Sequence, residues 1–125
     1  MENLNIEATE YTPKIILDAE QNLIDIKGDS FPENTFDFYK PVIKWLKKYF
    51  EEENKTTTVN IDINYFNSSS SQLFFDIFDI FEEASKNKNA LIINWLYSSK
   101  NESAQEAGED FVDEFENLNI NLKEK

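Results

Sequence analysis

The chain contains no cysteine, no histidine and no arginine, and it has only two glycines and three prolines in 125 residues. Without cysteine or histidine, there can be no thiolate nucleophile, Ser-His-Asp triad or zinc finger. Without arginine there is no bidentate fork for a phosphate, and no glycine-rich loop accompanies the lysines. These absences disfavour an enzyme and favour a binding or regulatory protein that uses no cofactor and no metal.

The charge is strongly one-sided, with 25 acidic residues, 12 basic residues and a net charge of −13. Nucleic acid and anionic membrane surfaces would repel such a chain. No apolar run approaches the ~20 residues that span a bilayer, and the segment Met1–Leu4 has no signal-peptide character. We therefore expect a cytoplasmic protein that neither binds nucleic acid nor inserts into membranes. Its length predicts a single domain over residues 1–125.

Hydrophobic spacing divides the chain into alternating strands and helices. The first half has three short strands, then a loop and a helix that buries Phe36, Tyr39, Ile43, Leu46 and Phe50. The predicted bounds are strands at 3–8, 14–17 and 23–28, a loop at 28–34 and a helix to about residue 53. The second half is predicted as a strand at 56–66, a helix at 69–86, a strand at 90–97, a helix at 102–115 and a short strand around Ile120 and Leu122.

The predicted order β-β-β-α-β-α-β-α-(β) is typical of an α/β fold with a mixed sheet and about three helices, joined by right-handed crossovers. The nearly continuous apolar run at 90–97 is typical of a strand buried on both faces. Gly108 lies on the buried stripe of the third helix, where it costs ~1 kcal/mol of helix propensity. We expect a close approach between this helix and the sheet to compensate for that cost.

The junction between the fourth strand and the second helix is rich in hydroxyl groups, because Ser68–Ser71 follow directly after Asn67. The junction places serines beside unpaired N–H groups at the positive end of a helix. One interpretation is a capping box, with Ser69 as N-cap and Gln72 three residues later. One cap accounts for only one of the four serines, so a modification or ligand site remains the alternative.

The arrangement of strand, turn, serines and helix resembles the STAS domain of anti-sigma factor antagonists. It resembles the SiaC family of bacterial regulatory phosphoproteins more closely. The motifs that carry this second resemblance are distributed over nearly the whole chain. They are Gly28–Asn34, Tyr65–Ser70, Asp76–Asp79, Trp95–Tyr97 and Asn101–Glu102.

The resemblance implies a STAS-like domain that acts as a switch. In such a protein, a partner Ser/Thr kinase phosphorylates the junction hydroxyl and a PP2C-type phosphatase removes the phosphate. The unphosphorylated form binds and activates a diguanylate cyclase in cyclic di-GMP and biofilm signalling. By motif position the acceptor is Ser68, where the family has threonine, and Ser69 and Ser70 are adjacent alternatives. A STAS-type antagonist in a sigma-factor pathway is the alternative function.

The partner-binding surface admits two interpretations. Phe75 and Phe78, which are flanked by acids, either cover the edge of the core or form an aromatic anchor for a basic partner. The loop at 29–34 is either a helix entry capped by Asn34 or Thr35, or part of the same surface. The predicted contact residues are Asp29, Phe31, Pro32, Asn67, Phe75, Phe78 and Asp79.

A carboxylate enzyme that holds Mg²⁺ between Asp25, Asp29 and Asp62 is a further alternative. Magnesium sites need convergent carboxylates and usually substrate phosphates. The chain has no spaced acidic motif of that kind, so this interpretation is disfavoured.

Overall fold

The computed structural model describes all residues, 1–125, and contains six strands and three helices. Their order, β-β-β-α-β-α-β-α-β, confirms the predicted α/β fold. The elements are β1 (Leu4–Ile6), β2 (Lys14–Asp18), β3 (Leu23–Ser30), α1 (Thr35–Tyr49), β4 (Thr56–Phe66), α2 (Ser68–Lys86), β5 (Ala90–Tyr97), α3 (Glu102–Glu114) and β6 (Asn119–Glu124).

The six strands form one sheet whose spatial order, β1-β2-β3-β4-β5-β6, is also their order along the chain. The β1–β2 and β2–β3 pairs are antiparallel, and the pairs from β3 to β6 are parallel. Each parallel crossover carries one helix. Since right-handed crossovers that all step in the same direction place their helices on the same side, the three helices cover one face of the sheet. The other face is open.

The core lies between the helices and the covered face and is rich in aromatic side chains. Phe78 stacks on Phe111 with ring centroids 4.3 Å apart, and Trp95 lies 5.2 Å from Phe111. The indole N–H of Trp95 donates a hydrogen bond to the carbonyl of Ala104 at 2.9 Å, so its polar atom is satisfied inside the core. None of the three helices combines the length and the apolar character needed to cross a membrane.

The prediction that β5 is buried on both faces is wrong. Leu91, Ile93 and Trp95 are buried, whereas Ile92 is 38% exposed. An apolar run of this kind is typical of a strand between two helical layers, but this fold has only one such layer. Ile92 therefore lies on the open face.

Two other predictions about the first half of the chain are also wrong. β3 does not end at Gly28 but continues to Ser30 through a register irregularity between Gly28 and Asp29. Gly28 has φ +132°, a value that L-residues rarely adopt. In α1, which ends at Tyr49, Phe36 is 66% exposed instead of buried, because it lies in the first turn of the helix.

The expected close approach at Gly108 is confirmed. A Cβ atom at this position would lie 2.6 Å from Cδ1 of Trp95 and 2.7 Å from Cδ2 of Leu122. The missing side chain lets α3 pack directly on β5 and β6. The predicted last strand is also present, as β6 pairs with β5.

Candidate functional site

The amino terminus of α2 is capped by Asn67. The capping-box interpretation, which assigned Ser69 as the cap, is wrong. Asn67 has an extended backbone (φ −79°, ψ 175°), and its Oδ1 accepts a hydrogen bond from the N–H of Ser70 at 2.9 Å. Asparagine and serine are about equally good N-caps, so the sequence alone could not choose between them. Because Asn67 is the cap, Ser68 is the first residue of the helix.

Ser68 presents a free hydroxyl at this helix end. Its side chain is exposed, and its Oγ takes part in no hydrogen bond with the rest of the protein. The first N–H groups of a helix have no partner within the helix, and they give this end a partial positive charge. A phosphate on Ser68 would therefore lie in favourable surroundings.

Ser69 and Ser70 differ sharply from Ser68. Ser69 is exposed, but its Oγ lies 2.7 Å from Oγ1 of Thr35 and donates to Oδ1 of Asn67 at 3.2 Å. The side chain of Ser70 has no exposed surface, and its Oγ is 2.8 Å from that of Ser30. The prediction of Ser70 as an alternative acceptor is therefore wrong, because a kinase cannot reach a sealed hydroxyl.

A chain of buried hydroxyl groups lies beneath the junction. The Oγ of Ser30 contacts both Ser70 and the hydroxyl of Tyr39, the latter at 2.6 Å. Burial raises the pKa of Tyr39 to about 12, and the hydrogen bond to Ser30 acts in the opposite direction. This chain ties the first turn of α2 to β3 and α1.

The loop before α1 lies next to the junction. The N–H of Asn67 donates to the carbonyl of Ser30 at 3.1 Å, and Thr35 contacts Ser69. Asn34 caps α1 by accepting from the N–H of Asp37 at 3.1 Å, which is one of the two predicted caps. The amino termini of α1 and α2 are therefore neighbours at the carboxyl edge of the sheet.

Three aromatic rings, which we call the aromatic row, lie at this edge. Phe31 is half-buried, with the ring of Tyr11 at 5.3 Å and that of Tyr65 at 5.5 Å, both edge to face. Tyr11 is 54% exposed and Tyr65 is 56% exposed. Phe31 is one of the predicted contact residues, whereas Tyr11 and Tyr65 are not among them.

Tyr65 is exposed because β4 carries one extra residue relative to β3. Gly28 is paired with Ile63 and Asp29 with Tyr65, so Asn64 is left without a counterpart. The extra residue reverses the alternation of side chains. Phe66 consequently packs on Phe74 and Trp95, and Tyr65 projects outward. The alternation in the sequence would have placed Tyr65 in the core.

The predicted contact residues on α2 do not join this cluster. Phe78 has no exposed surface and belongs to the core, so its prediction as a contact residue is wrong. Phe75 covers the edge of the core, where its ring lies 4.6 Å from that of Phe111. Asp79 is exposed but lies about 16 Å along the helix from Ser68, at ~1.5 Å per residue.

The other predicted residues lie near the junction or on the open face. Asp29 is paired with Tyr65 at the carboxyl edge, and Pro32 is buried in the loop beside the aromatic row. Asp62 accepts a hydrogen bond from Nζ of Lys125 at 2.7 Å. No three acidic side chains of the chain converge in a way that could hold a metal ion.

Comparison with known proteins shows that the chain matches a protein family. Residues 6–125 match the family described as SiaC family regulatory phosphoprotein. The chain belongs to the SiaC family. It is 31% identical, over 89% of its length and 88% of the relative's, to an uncharacterised protein of Pseudomonas aeruginosa strain UCBPP-PA14.

Solved structures of SiaC are similar to the whole chain. SiaC of Pseudomonas aeruginosa superimposes with a TM-score of 0.88 at 26% identity and covers 100% of both chains. The SiaC chain in the crystal structure of the diguanylate cyclase SiaD with its activator SiaC gives a TM-score of 0.88 at 27% identity, covering 98% of this chain and 99% of that one. The family resemblance inferred from sequence motifs is thus confirmed.

Proposed function

We propose that this protein is a non-enzymatic switch that binds and activates a diguanylate cyclase while it is unphosphorylated. A Ser/Thr kinase phosphorylates Ser68, and a PP2C-type phosphatase reverses the modification. The proposal is supported by membership of the SiaC family and by the crystallised complex in which a similar SiaC is the activator of SiaD. We place the switch in the cytoplasm, in cyclic di-GMP and biofilm signalling.

The observation that carries the choice of acceptor is the free hydroxyl of Ser68. Ser68 is the first residue of α2, is exposed and makes no side-chain hydrogen bond. In contrast, Ser70 is sealed in the interior, and the hydroxyl of Ser69 is engaged by two neighbours. Of the three candidates, only Ser68 can enter a kinase site without first breaking contacts.

Phosphorylation should leave the fold intact. A phosphoserine adds about −1.5 to −2 charges, and negative charge at an exposed helix amino terminus is stabilising by ~0.3–1 kcal/mol. The core residues of α2, among them Phe74 and Phe78, lie on the covered side of the helix away from the exposed Ser68. The modification therefore acts on binding and not on folding.

The aromatic row, together with Asp29 and Asn67, is the docking surface that we propose. Tyr65 precedes Ser68 by only three residues, so a partner that covers these rings also covers the helix end. An apolar contact supplies no cation to the phosphate. Taking a near-dianion out of water then costs several kcal/mol, and every ~1.4 kcal/mol reduces affinity tenfold. Phosphorylation consequently abolishes binding.

The test combines mapping of the modification with a binding titration. Incubation with the partner kinase and ATP should add one phosphate, located at Ser68 by fragment mass spectrometry, and far less phosphate to Ser68→Ala. In the titration, Ser68→Ala should bind and activate the cyclase like the wild type, and Ser68→Asp should lose both properties while its circular dichroism spectrum stays unchanged.

Asn117→Asp is the charge control, because Asn117 is exposed and lies in the turn before β6, at the opposite edge of the sheet from Ser68. This variant should bind normally. The proposal is contradicted if the kinase modifies Ser68→Ala as efficiently as the wild type, or if Ser68→Asp binds as tightly as Asn117→Asp. Capture of an anti-sigma kinase instead of a cyclase would favour the STAS-type alternative.

A further inference from the structure

The serine run at the start of α2 offers two exposed hydroxyl groups side by side, Ser68 and Ser69. Their surroundings differ in one tertiary contact, which comes from the neighbouring helix. Oγ1 of Thr35, the first residue of α1, lies 2.7 Å from Oγ of Ser69. We propose that Thr35 is a specificity-determining residue that directs phosphorylation to Ser68 by holding the hydroxyl of Ser69. This inference rests on the proposed function of Ser68 as the acceptor.

The hydroxyl of Ser69 is occupied both as a donor and as an acceptor. Its single proton points to Oδ1 of Asn67, at 3.2 Å. The short contact with Thr35 is then a bond in which Thr35 donates and a lone pair of Ser69 accepts. Thr35 is 8% exposed, so water competes little for this bond. Ser69 is thereby fixed in one orientation.

Phosphoryl transfer requires a hydroxyl group whose oxygen lone pair and proton are both free to react. The two hydrogen bonds of Ser69 occupy both. A lone pair of the hydroxyl oxygen attacks the γ-phosphorus of a nucleoside triphosphate and forms the new P–O bond. The hydroxyl proton passes to a base of the kinase, and the bond to the nucleoside diphosphate breaks. Ser69 must first rotate away from Thr35 and Asn67 to react in this way, whereas Ser68 is already free. A typical hydrogen bond of this kind is worth a factor of about five in an equilibrium.

The position of Thr35 is itself well defined. Asn34 caps α1, and the backbone of Thr35 begins the helix, so its side chain is presented to α2 by a rigid element. Asn67 lies between the end of β4 and the start of α2, and it cannot be replaced without loss of the cap. Thr35 is therefore the position at which the Ser69 contact can be removed alone.

The experiment measures how phosphate is distributed between Ser68 and Ser69 after reaction with the partner kinase and ATP. Valine has the shape of threonine without the hydroxyl, so Thr35→Val should raise the ratio of Ser69 to Ser68 modification about fivefold. Thr35→Ser, which keeps the hydroxyl, should retain the wild-type ratio. Thr58→Val is the control, since Thr58 is half-buried in β4 and its side chain makes no hydrogen bond.

The outcomes separate this inference from the proposed function. Loss of folding in Thr35→Val would be seen as loss of the circular dichroism signal and as modification of Ser70, which is buried in the fold, whereas loss of specificity changes the ratio of Ser69 to Ser68 in a folded protein. If Ser68→Ala strongly reduces modification but Thr35→Val leaves the ratio unchanged, the role of Thr35 is overturned and the acceptor assignment stands. If Ser68→Ala is modified like the wild type, the acceptor assignment fails. The double variant Ser68→Ala, Thr35→Val should be phosphorylated at Ser69 about five times faster than Ser68→Ala alone.

Discussion

Replacing Gly108 by alanine tests the packing of α3 on the sheet. The new Cβ would lie 2.6 Å from Cδ1 and 2.8 Å from Nε1 of Trp95, and 2.7 Å from Cδ2 of Leu122. Carbon atoms in contact prefer about 3.5–4.0 Å, so the helix or the indole ring must move by roughly 1 Å. Trp95 has no exposed surface and is anchored through its hydrogen bond to Ala104. The ring therefore has little room to move.

The expected free-energy change is a difference of opposing contributions. Overpacking a core costs about 1–3 kcal/mol, and a weakened indole hydrogen bond costs about 1 kcal/mol more. Alanine regains about 1 kcal/mol of helix propensity. Gly108→Ala should therefore be destabilised by about 2 kcal/mol. This corresponds to a fall in melting temperature of about 8 °C at roughly 4 °C per kcal/mol for a chain of this size.

Thermal and urea denaturation followed by circular dichroism measure this change, and tryptophan emission reports on the surroundings of Trp95. Glu106→Ala is the control, because Glu106 is exposed on the same helix and surface changes of this kind stay within about 0.5 kcal/mol. If Gly108→Ala melts at or above the wild-type temperature, helix propensity outweighs the contact with Trp95, and the packing argument is refuted.

Two further predictions concern the docking surface and the buried hydroxyl chain. Tyr65→Ala should weaken cyclase binding at least tenfold, as expected of an exposed aromatic anchor. Val112→Ala on α3 is the control and should bind normally in the same titration. Equal affinities of the two variants would show that Tyr65 is not part of the interface. Burial raises the pKa of Tyr39 from 10.0 to about 12, so the folded state keeps this proton to a higher pH than the unfolded state does. The free energy of unfolding therefore falls as the pH rises from about 10 to about 12. Urea titrations across that range should show a fall in unfolding free energy that is shallower in Tyr39→Phe; identical slopes would contradict this reasoning.

Local patterns were sufficient to predict the elements and one close contact. The alternation in 56–66 and the helical spacing in 102–115 gave the bounds of β4 and, to within one residue, of α3. The cost of a glycine on a buried helical stripe was enough to predict the contact of Gly108. The bounds of the elements were predictable because they depend on residues that are neighbours along the chain, and the propensity cost of Gly108 is likewise a local signal, although the contact that offsets it is with Trp95 and Leu122.

The features that failed depend on how distant segments meet. The open face of β5 follows from the shared direction of the crossovers, and the exposure of Tyr65 follows from a residue of β4 that has no counterpart in β3. At the junction, Asn67 and four serines are all good caps, so the choice between them depends on the tertiary structure. The difference between Ser68, Ser69 and Ser70 arises from Thr35 and Ser30, which are more than thirty residues away.

The strands lie in the sheet in the same order as they occur along the chain, and this has a consequence for folding during synthesis. Each new strand is laid against the one made just before it, and none has to be inserted between two partners that are already paired. The layer can therefore grow from its amino-terminal side while the ribosome is still extending the chain. The antiparallel pair of β2 and β3 closes a short loop, with Asp18 paired to Leu23, and short loops are the quickest to form. The last pairing to form is that of β6, so a nascent chain lacking it would expose the flank of β5.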